Sequence, residues 1–315
     1  MTATAEARIL GDKKSLGPDL ETVATGSLAR QGAAMPLRSG AVHAAPILLA
    51  LALTASCSSG SDSSEAGGAS SDSPYPSSIV ALGHSGLTGY DSDPDAPQTD
   101  ATQNSWATGT NPAVDSVYRR IVALDPAAEG HVANVAVDGS GVDSLLDQEA
   151  QAADLTPAPE LVIIQSIDND IRCDGSDPQN YGPYRQKLTA VLDALSADLP
   201  DADVFFVSQW ATVEEYDRLL LKVEPSHITG TGPCDPISLV TRKLDPKHEQ
   251  YLQHLIDHYW GIVTAVCAQY PHCRTDEGLM RTMQLDAGDL AEDLNHLSVA
   301  GHHKMAAMIF GALYD

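Results

Sequence analysis

The chain is short of positive charge: 18 lysines and arginines stand against 43 aspartates and glutamates in 315 residues, a formal charge of −25. A field of that sign repels a phosphate backbone and offers no counterion-release gain, which excludes a polybasic nucleic-acid binder. Aromatic residues are also scarce, 5% of the whole with 3 Phe and 3 Trp, and together with 24 Gly this argues against a fibrous or repeat architecture. The uncharged apolar stretch Ala44 to Ser56 has thirteen residues, too few to cross a bilayer as a helix and about the size of a signal-peptide core. Of the 5 cysteines no two have C-x-x-C spacing, and no histidine sits at ligand spacing from two of them, so a zinc site is not expected. What is present is an ordinary apolar content of 43%, enough for one packed core.

The composition changes along the chain. Residues 1–34 are mixed in charge and lack an apolar period, whereas Met35 followed by Pro36, Leu37 and Arg38 starts a normal signal n-region; translation is expected to begin at Met35, with 1–34 an untranslated or unfolded extension. Residues 35–56 then form the signal, and Thr54-Ala55-Ser56 lead into Cys57. Residues 58–77 are a Ser/Gly/Asp tether too polar to fold. The folded domain is expected from 78 to 315. It holds Cys173, Cys234, Cys267 and Cys273, an even count that in an exported chain implies two disulfides with three pairings. Cys267 and Cys273 are near enough for a small loop, which makes Cys173 with Cys234 the preferred partner pair.

Within that domain, short apolar runs alternate with helical patterns. Ser78–Gly83, His131–Val137, Glu160–Gln165 and Asp203–Ser208 have the look of strands buried on both faces. Helices are expected from Asn111 to about Leu124, Ser144 to Ala153, Tyr184 to Ala197, Lys247 to about Ala268 behind an Asp245-Pro246 cap, and from Ser298 through Ala312. Such alternation implies right-handed crossovers and an α/β fold, a three-layer α/β/α sandwich around a central parallel sheet. Binding sites in these sheets form beyond the carboxyl ends of the strands.

Four short blocks fall at those ends. Gly83-His84-Ser85-Gly86 can project a serine hydroxyl into the cleft with its own N–H available to an oxyanion. Asp138-Gly139-Ser140-Gly141 and Ile167-Asp168-Asn169-Asp170 bring a glycine N–H and an asparagine amide to neighbouring strand ends. Near the C-terminus, Asp293-Leu294-Asn295-His296 sets a carboxylate three residues ahead of an imidazole, so one loop can hold the ring in the tautomer that takes a proton from a hydroxyl.

In this order the blocks resemble those of the SGNH hydrolases, the GDSL family of esterases and lipases, over residues 78–315, and Trp106–Arg120 and Asp289–Gly301 also look like its secreted bacterial branch. The resemblance implies the flavodoxin-like fold of that family, Ser85 as nucleophile, His296 as general base and then acid, and Asp293 as its orienting partner. It further implies an oxyanion hole of the Ser85 and Gly139 N–H groups and the Asn169 amide. Thr54 to Cys57 similarly resembles a lipobox, which implies lipid anchoring through Cys57 at the outer face of a cell membrane, or secretion. Three positions depart from the family pattern: His84 replaces the usual aspartate before the serine, Ile167 stands where the third block usually has glycine, and Leu297 replaces a proline.

The expected activity is ester hydrolysis of the lipase-like carboxylesterase kind by a monomer, with no metal or organic cofactor, no nucleic-acid partner and a small-molecule, lipid or glycan ester as substrate. A carbohydrate O-acetylesterase is the alternative enzyme, and a non-catalytic surface domain the alternative of another class. His254 and His258 share metal-ligand spacing but lack the intervening glutamate, and are expected on a helix surface. Asp168, Asp170, Asp174 and Asp177 miss the calcium-loop offsets and are expected to be a solvated loop. His302 and His303 are expected to be surface or supporting groups.

Overall fold

The computed structural model describes residues 73–222, 234, 237–238 and 243–314. The signal segment, Cys57 and most of the tether lie outside the described residues. Five parallel strands, β1 (Ile79–Gly83), β2 (Val132–Asn134), β3 (Leu161–Gln165), β4 (Asp203–Phe206) and β7 (Cys273–Thr275), form one sheet in the order β2-β1-β3-β4-β7. A two-residue-per-strand antiparallel ladder, β5 (Ile237–Ser238) with β6 (Lys243–Leu244), stands apart from it.

Side chains of successive strand residues leave the sheet on opposite faces, and each face has its own core. Ile79, Ala81, Ile163 and Phe205 pack on one side with α2 (Val117–Leu124) and α7 (Val299–Tyr314). Val80, Leu82, Ile164 and Phe206 pack on the other with α3 (Leu145–Ala153), α4 (Asp177–Asp198) and α6 (Pro246–Cys267). The result is the expected three-layer α/β/α sandwich. Each fully buried Leu, Ile or Phe in these layers contributes about 1.5–3 kcal/mol.

Local signals set several element ends. Asp245 accepts the Lys247 N–H and Pro246 opens α6, while the Ser298 hydroxyl accepts the Ala300 and Gly301 N–H groups ahead of α7. Other ends differ from expectation. The helix placed from Asn111 begins only at Val117: Asn111 folds 111–114 into a turn through its side chain, Asp115 takes a left-handed φ of 49°, and Ser116 then caps α2. The helix placed from Tyr184 begins at Asp177, with Pro178 in its first turn and Pro183 inside it. The ladder of β2 is shorter than 131–137, although the Val135 and Val137 N–H groups still bond to Ala81 and Gly83.

Besides the β5–β6 ladder, elements that were not anticipated include α5 (Val213–Leu220), capped by Thr212, and the edge strand β7, whose Cys-Arg-Thr sequence has no apolar run. Cys267 at the end of α6 is bonded to Cys273 in β7, and Cys173 is bonded to Cys234, with Cα separations of 5.3 and 5.1 Å. Tyr75, on the tether side of the expected boundary, already packs edge-on against Tyr314. Among the described residues no helix is long and apolar enough to cross a membrane.

Candidate active site

Strand β1 lies between β2 and β3, so the loops after those neighbours flank the loop after β1. The chain order reverses at this point, which is where open α/β sheets form their crevice. Strand β1 stops at Gly83, whose φ of 144° is readily accessible to glycine and rarely adopted by other residues. His84 returns to extended backbone and Ser85 opens a one-turn helix, α1 (Ser85–Thr88), closed by Gly89 in the left-handed region. That turn points Ser85 at the loop before α7.

There the Ser85 Oγ lies 2.8 Å from His296 Nε2, and His296 Nδ1 lies 2.5 Å from Asp293 Oδ2. A carboxylate can only accept, so Nδ1 carries the ring proton and Nε2 is left to accept from the serine hydroxyl. These side chains form a Ser–His–Asp triad. Asp293 is itself held by its neighbours, its Oδ1 accepting the N–H groups of Asn295 and His296 at 2.9 Å. Burial raises its pKa, but those bonds and the His296 ring outweigh burial and hold the carboxyl below its usual range. Two contacts from far along the chain fix the loop: Asp91 Oδ2 accepts the Asp293 N–H, and the Tyr216 hydroxyl donates to the Leu294 carbonyl. The Tyr90 ring lies 4.8 Å from that of His296. None of Asp91, Tyr216 or Tyr90 was singled out by the sequence, because their role depends on contacts across the fold.

The Asn169 side chain is exposed and lines the same pocket as Ser85 and His296. Its Nδ2 donates one hydrogen to the Ser140 carbonyl at 2.9 Å, and the amide has a second to give. Gly139 sits on an exposed turn with φ 70°, outside the lining of this pocket. The loops after β2 and β3 are tied together twice, by the Asn169 bond and by Asp170 Oδ2 accepting the Val142 N–H. A side chain at Gly141 would meet Asp170 at 2.9 Å, which accounts for a glycine there. Gln148, buried in α3, holds the end of β1 from both sides: its Oε1 accepts the Gly83 N–H and its Nε2 donates to the Gly83 carbonyl.

The remaining candidates are spread out. His302 is 1% exposed and lines the pocket beneath His296, which removes the surface alternative for it; His303 bonds to the Val114 carbonyl. His254 and His258 are exposed, and His258 stacks on Tyr181. Of the four aspartates expected in a solvated loop, Asp174 is exposed and Asp168 half-buried, but Asp170 and Asp177 are buried, Asp170 accepting the Val142 N–H and Asp177 those of Arg172 and Cys173. Among the described residues no group of three His, Cys, Asp or Glu is arranged to hold a metal ion.

Burial pushes the Asp170 carboxyl up to about 6, and burial followed by the neighbouring His296 pushes the His302 imidazole down to about 3. The two act oppositely on stability. Asp170 favours the folded state while protonated, and that contribution is lost as pH rises from about 4 through about 6; His302 favours it above about 6.5 and loses that as pH falls towards 3. Asp170→Asn keeps an acceptor for Val142. The variant is expected to gain stability over the wild-type chain progressively between pH 4 and 7, read as the difference in urea midpoints across that range. Equal midpoint differences at pH 4 and pH 7 would contradict the assignment.

No family model matches the sequence, and no curated protein matches it. Among solved structures, the chain is similar to the acetyl xylan esterase AlAXEase, at 13% identity and a TM-score of 0.46, over 75% of this chain and 98% of that one. It is similar to phospholipase A1 from Streptomyces albidoflavus NA297, at 13% identity and 0.43, over 74% and 97%. A family 3 carbohydrate esterase of Clostridium thermocellum aligns at 12% identity and 0.43, over 74% and 93%. At this level of likeness the chemistry of the site rests on its own geometry.

Proposed function

We propose that the chain is a serine ester hydrolase of the SGNH, or GDSL, kind. The observation that supports this best is the continuous Asp293–His296–Ser85 run of hydrogen bonds ending in a pocket that Asn169 also lines. In this reading Ser85 Oγ bonds to the ester carbonyl carbon while its proton passes to His296 Nε2. The carbonyl oxygen takes the negative charge and is met by the Ser85 N–H and the Asn169 amide, whereas Gly139, the third donor that the family resemblance implies, lies outside the lining of this pocket. Collapse breaks the bond to the alcohol, which leaves with the proton from His296. Water, deprotonated by the same ring, then releases the acid from Ser85.

The pocket holds about 330 Å³ and has a mixed lining, its apolar walls coming from Ile171, Trp210, Val213, Leu252 and Ile256 beside the polar Gln209 and Thr212. Those walls favour an apolar acyl chain and hence a lipase-like carboxylesterase over an acetylesterase. Each methylene buried there is worth about 0.8 kcal/mol, roughly fourfold in kcat/KM until the pocket is full. With the full chain and a p-nitrophenyl ester series from acetate to palmitate, specificity is expected to climb above acetate and then fall. An optimum at acetate would favour the O-acetylesterase, and no turnover by folded protein the non-catalytic binding domain. The two cysteine pairs support a place in an oxidising compartment outside the cytosol, and the lipobox resemblance alone supports Cys57 as the lipid attachment.

A further inference from the structure

His84 is 3% exposed and stands between β1 and Ser85. Its Nδ1 lies 3.1 Å from the Gly86 backbone nitrogen, and because an amide can only donate, Nδ1 must offer a bare lone pair. The ring proton is therefore on Nε2. That nitrogen is buried, has no hydrogen-bond partner among the described residues, and faces Asp168 Oδ2 at 3.6 Å. The other Asp168 oxygen, Oδ1, is likewise buried without a partner among the described residues. A closure of well under 1 Å would turn this facing pair into a charge-assisted hydrogen bond.

What makes the pair consequential is its position. His84 immediately precedes Ser85 and Asp168 immediately precedes Asn169, so one imidazole spans the nucleophile turn and the amide turn. The amide turn is strained: Ile167, 1% exposed, has φ 131°, a region that a side-chain-bearing residue rarely adopts. The ties from Asn169 to Ser140 and from Asp170 to Val142 both hold that turn to the loop after β2. His84 faces it from the side of Ser85.

We propose that His84 is a positioning residue: neutral and protonated on Nε2, it caps the Ser85 turn through Gly86 and holds Asp168, setting the distance from Ser85 to the Asn169 amide. The proposal rests on the reading of Ser85 and Asn169 as nucleophile and oxyanion donor. It also assigns a task to an imidazole at the position where the family resemblance leads one to expect an aspartate.

The test uses the full chain with the p-nitrophenyl ester it hydrolyses best. His84→Ala is expected to lower kcat about 10- to 100-fold with KM little changed, since a misplaced amide fails the transition state more than the ground state. His84→Asn can still accept the Gly86 N–H but is too short to reach Asp168, so it is expected to recover the melting temperature and not kcat. Asp168→Asn added to His84→Ala is expected to cost nothing further. A His84→Ala variant within twofold of wild-type kcat, or full recovery of kcat in His84→Asn, would overturn the proposal. A second readout needs no turnover: long-range ¹H–¹⁵N NMR of histidine-labelled wild-type chain is expected to show the Nε2–H form for His84 at neutral pH. An Nδ1–H or doubly protonated ring would overturn the proposal, whereas an Nε2–H ring in a chain that hydrolyses no ester would count against the esterase reading alone.

Discussion

Ser85→Ala is expected to lower kcat by roughly 10⁴- to 10⁶-fold while leaving KM and the fold nearly as they are. The loss is large because the hydroxyl is both the group that would bond to carbon and the source of the proton that His296 would take; without it, water must attack without an acyl-enzyme. The fold survives because Ser85 Oγ contributes one hydrogen bond, to His296, whose ring is partly exposed and can be solvated instead. Steady-state kinetics on the preferred ester, beside a thermal melt of each protein and labelling by a fluorophosphonate, reads all three consequences. Turnover surviving in Ser85→Ala above a few per cent of wild type, or labelling that persists, would refute Ser85 as the nucleophile.

The largest expected loss of stability comes two residues earlier. At Gly83 an added Cβ would lie 2.0 Å from the Gln165 carbonyl oxygen on the paired strand β3, at a φ of 144° that a side chain rarely adopts. Neither strand can retreat, since Gly83 is clamped by Gln148 and β3 is central in the sheet. Gly83→Ala is therefore expected to cost more than about 4 kcal/mol, a large part of the stability of a domain this size, so that little folded protein accumulates. Gly261, inside α6, is the control: nothing lies within 4 Å of a Cβ there, and Gly261→Ala is expected to stabilise by about 0.5–1 kcal/mol. Urea titrations of the three proteins decide the matter. A Gly83→Ala midpoint close to wild type would show that β1 and β3 can separate at their ends.

Particular residues show how far local patterning reaches. The strands β1, β3 and β4 were legible because burial on both sheet faces writes an unbroken apolar run into the sequence, and the ends of α6 and α7 because Asp245-Pro246 and Ser298 are local capping signals. The aspartate and histidine of the last loop were legible for the same reason, being three residues apart on one turn. Strand β7 was not, since Cys-Arg-Thr becomes a strand only by pairing at the sheet edge with β4 beside a cysteine link to α6. Asp177 and Asp170 had the composition of a solvated loop and were drawn inside by backbone N–H groups that only the folded loops bring to them.

The sequence by itself thus determined the alternation of strands and helices, the candidate groups and their order along the chain, because these follow from periodicity and short-range spacing. The tertiary structure decided which groups meet: Ser85 with a histidine 211 positions away, Asp91 with the Asp293 loop across 202, and Gln148 with the end of β1 across 65. It also decided the tautomers of His296 and His84, since a ring nitrogen takes its role from the partner that faces it. Such meetings are set by strand order in the sheet and by the side on which each crossover returns, and neither leaves a mark within a few residues of the groups concerned.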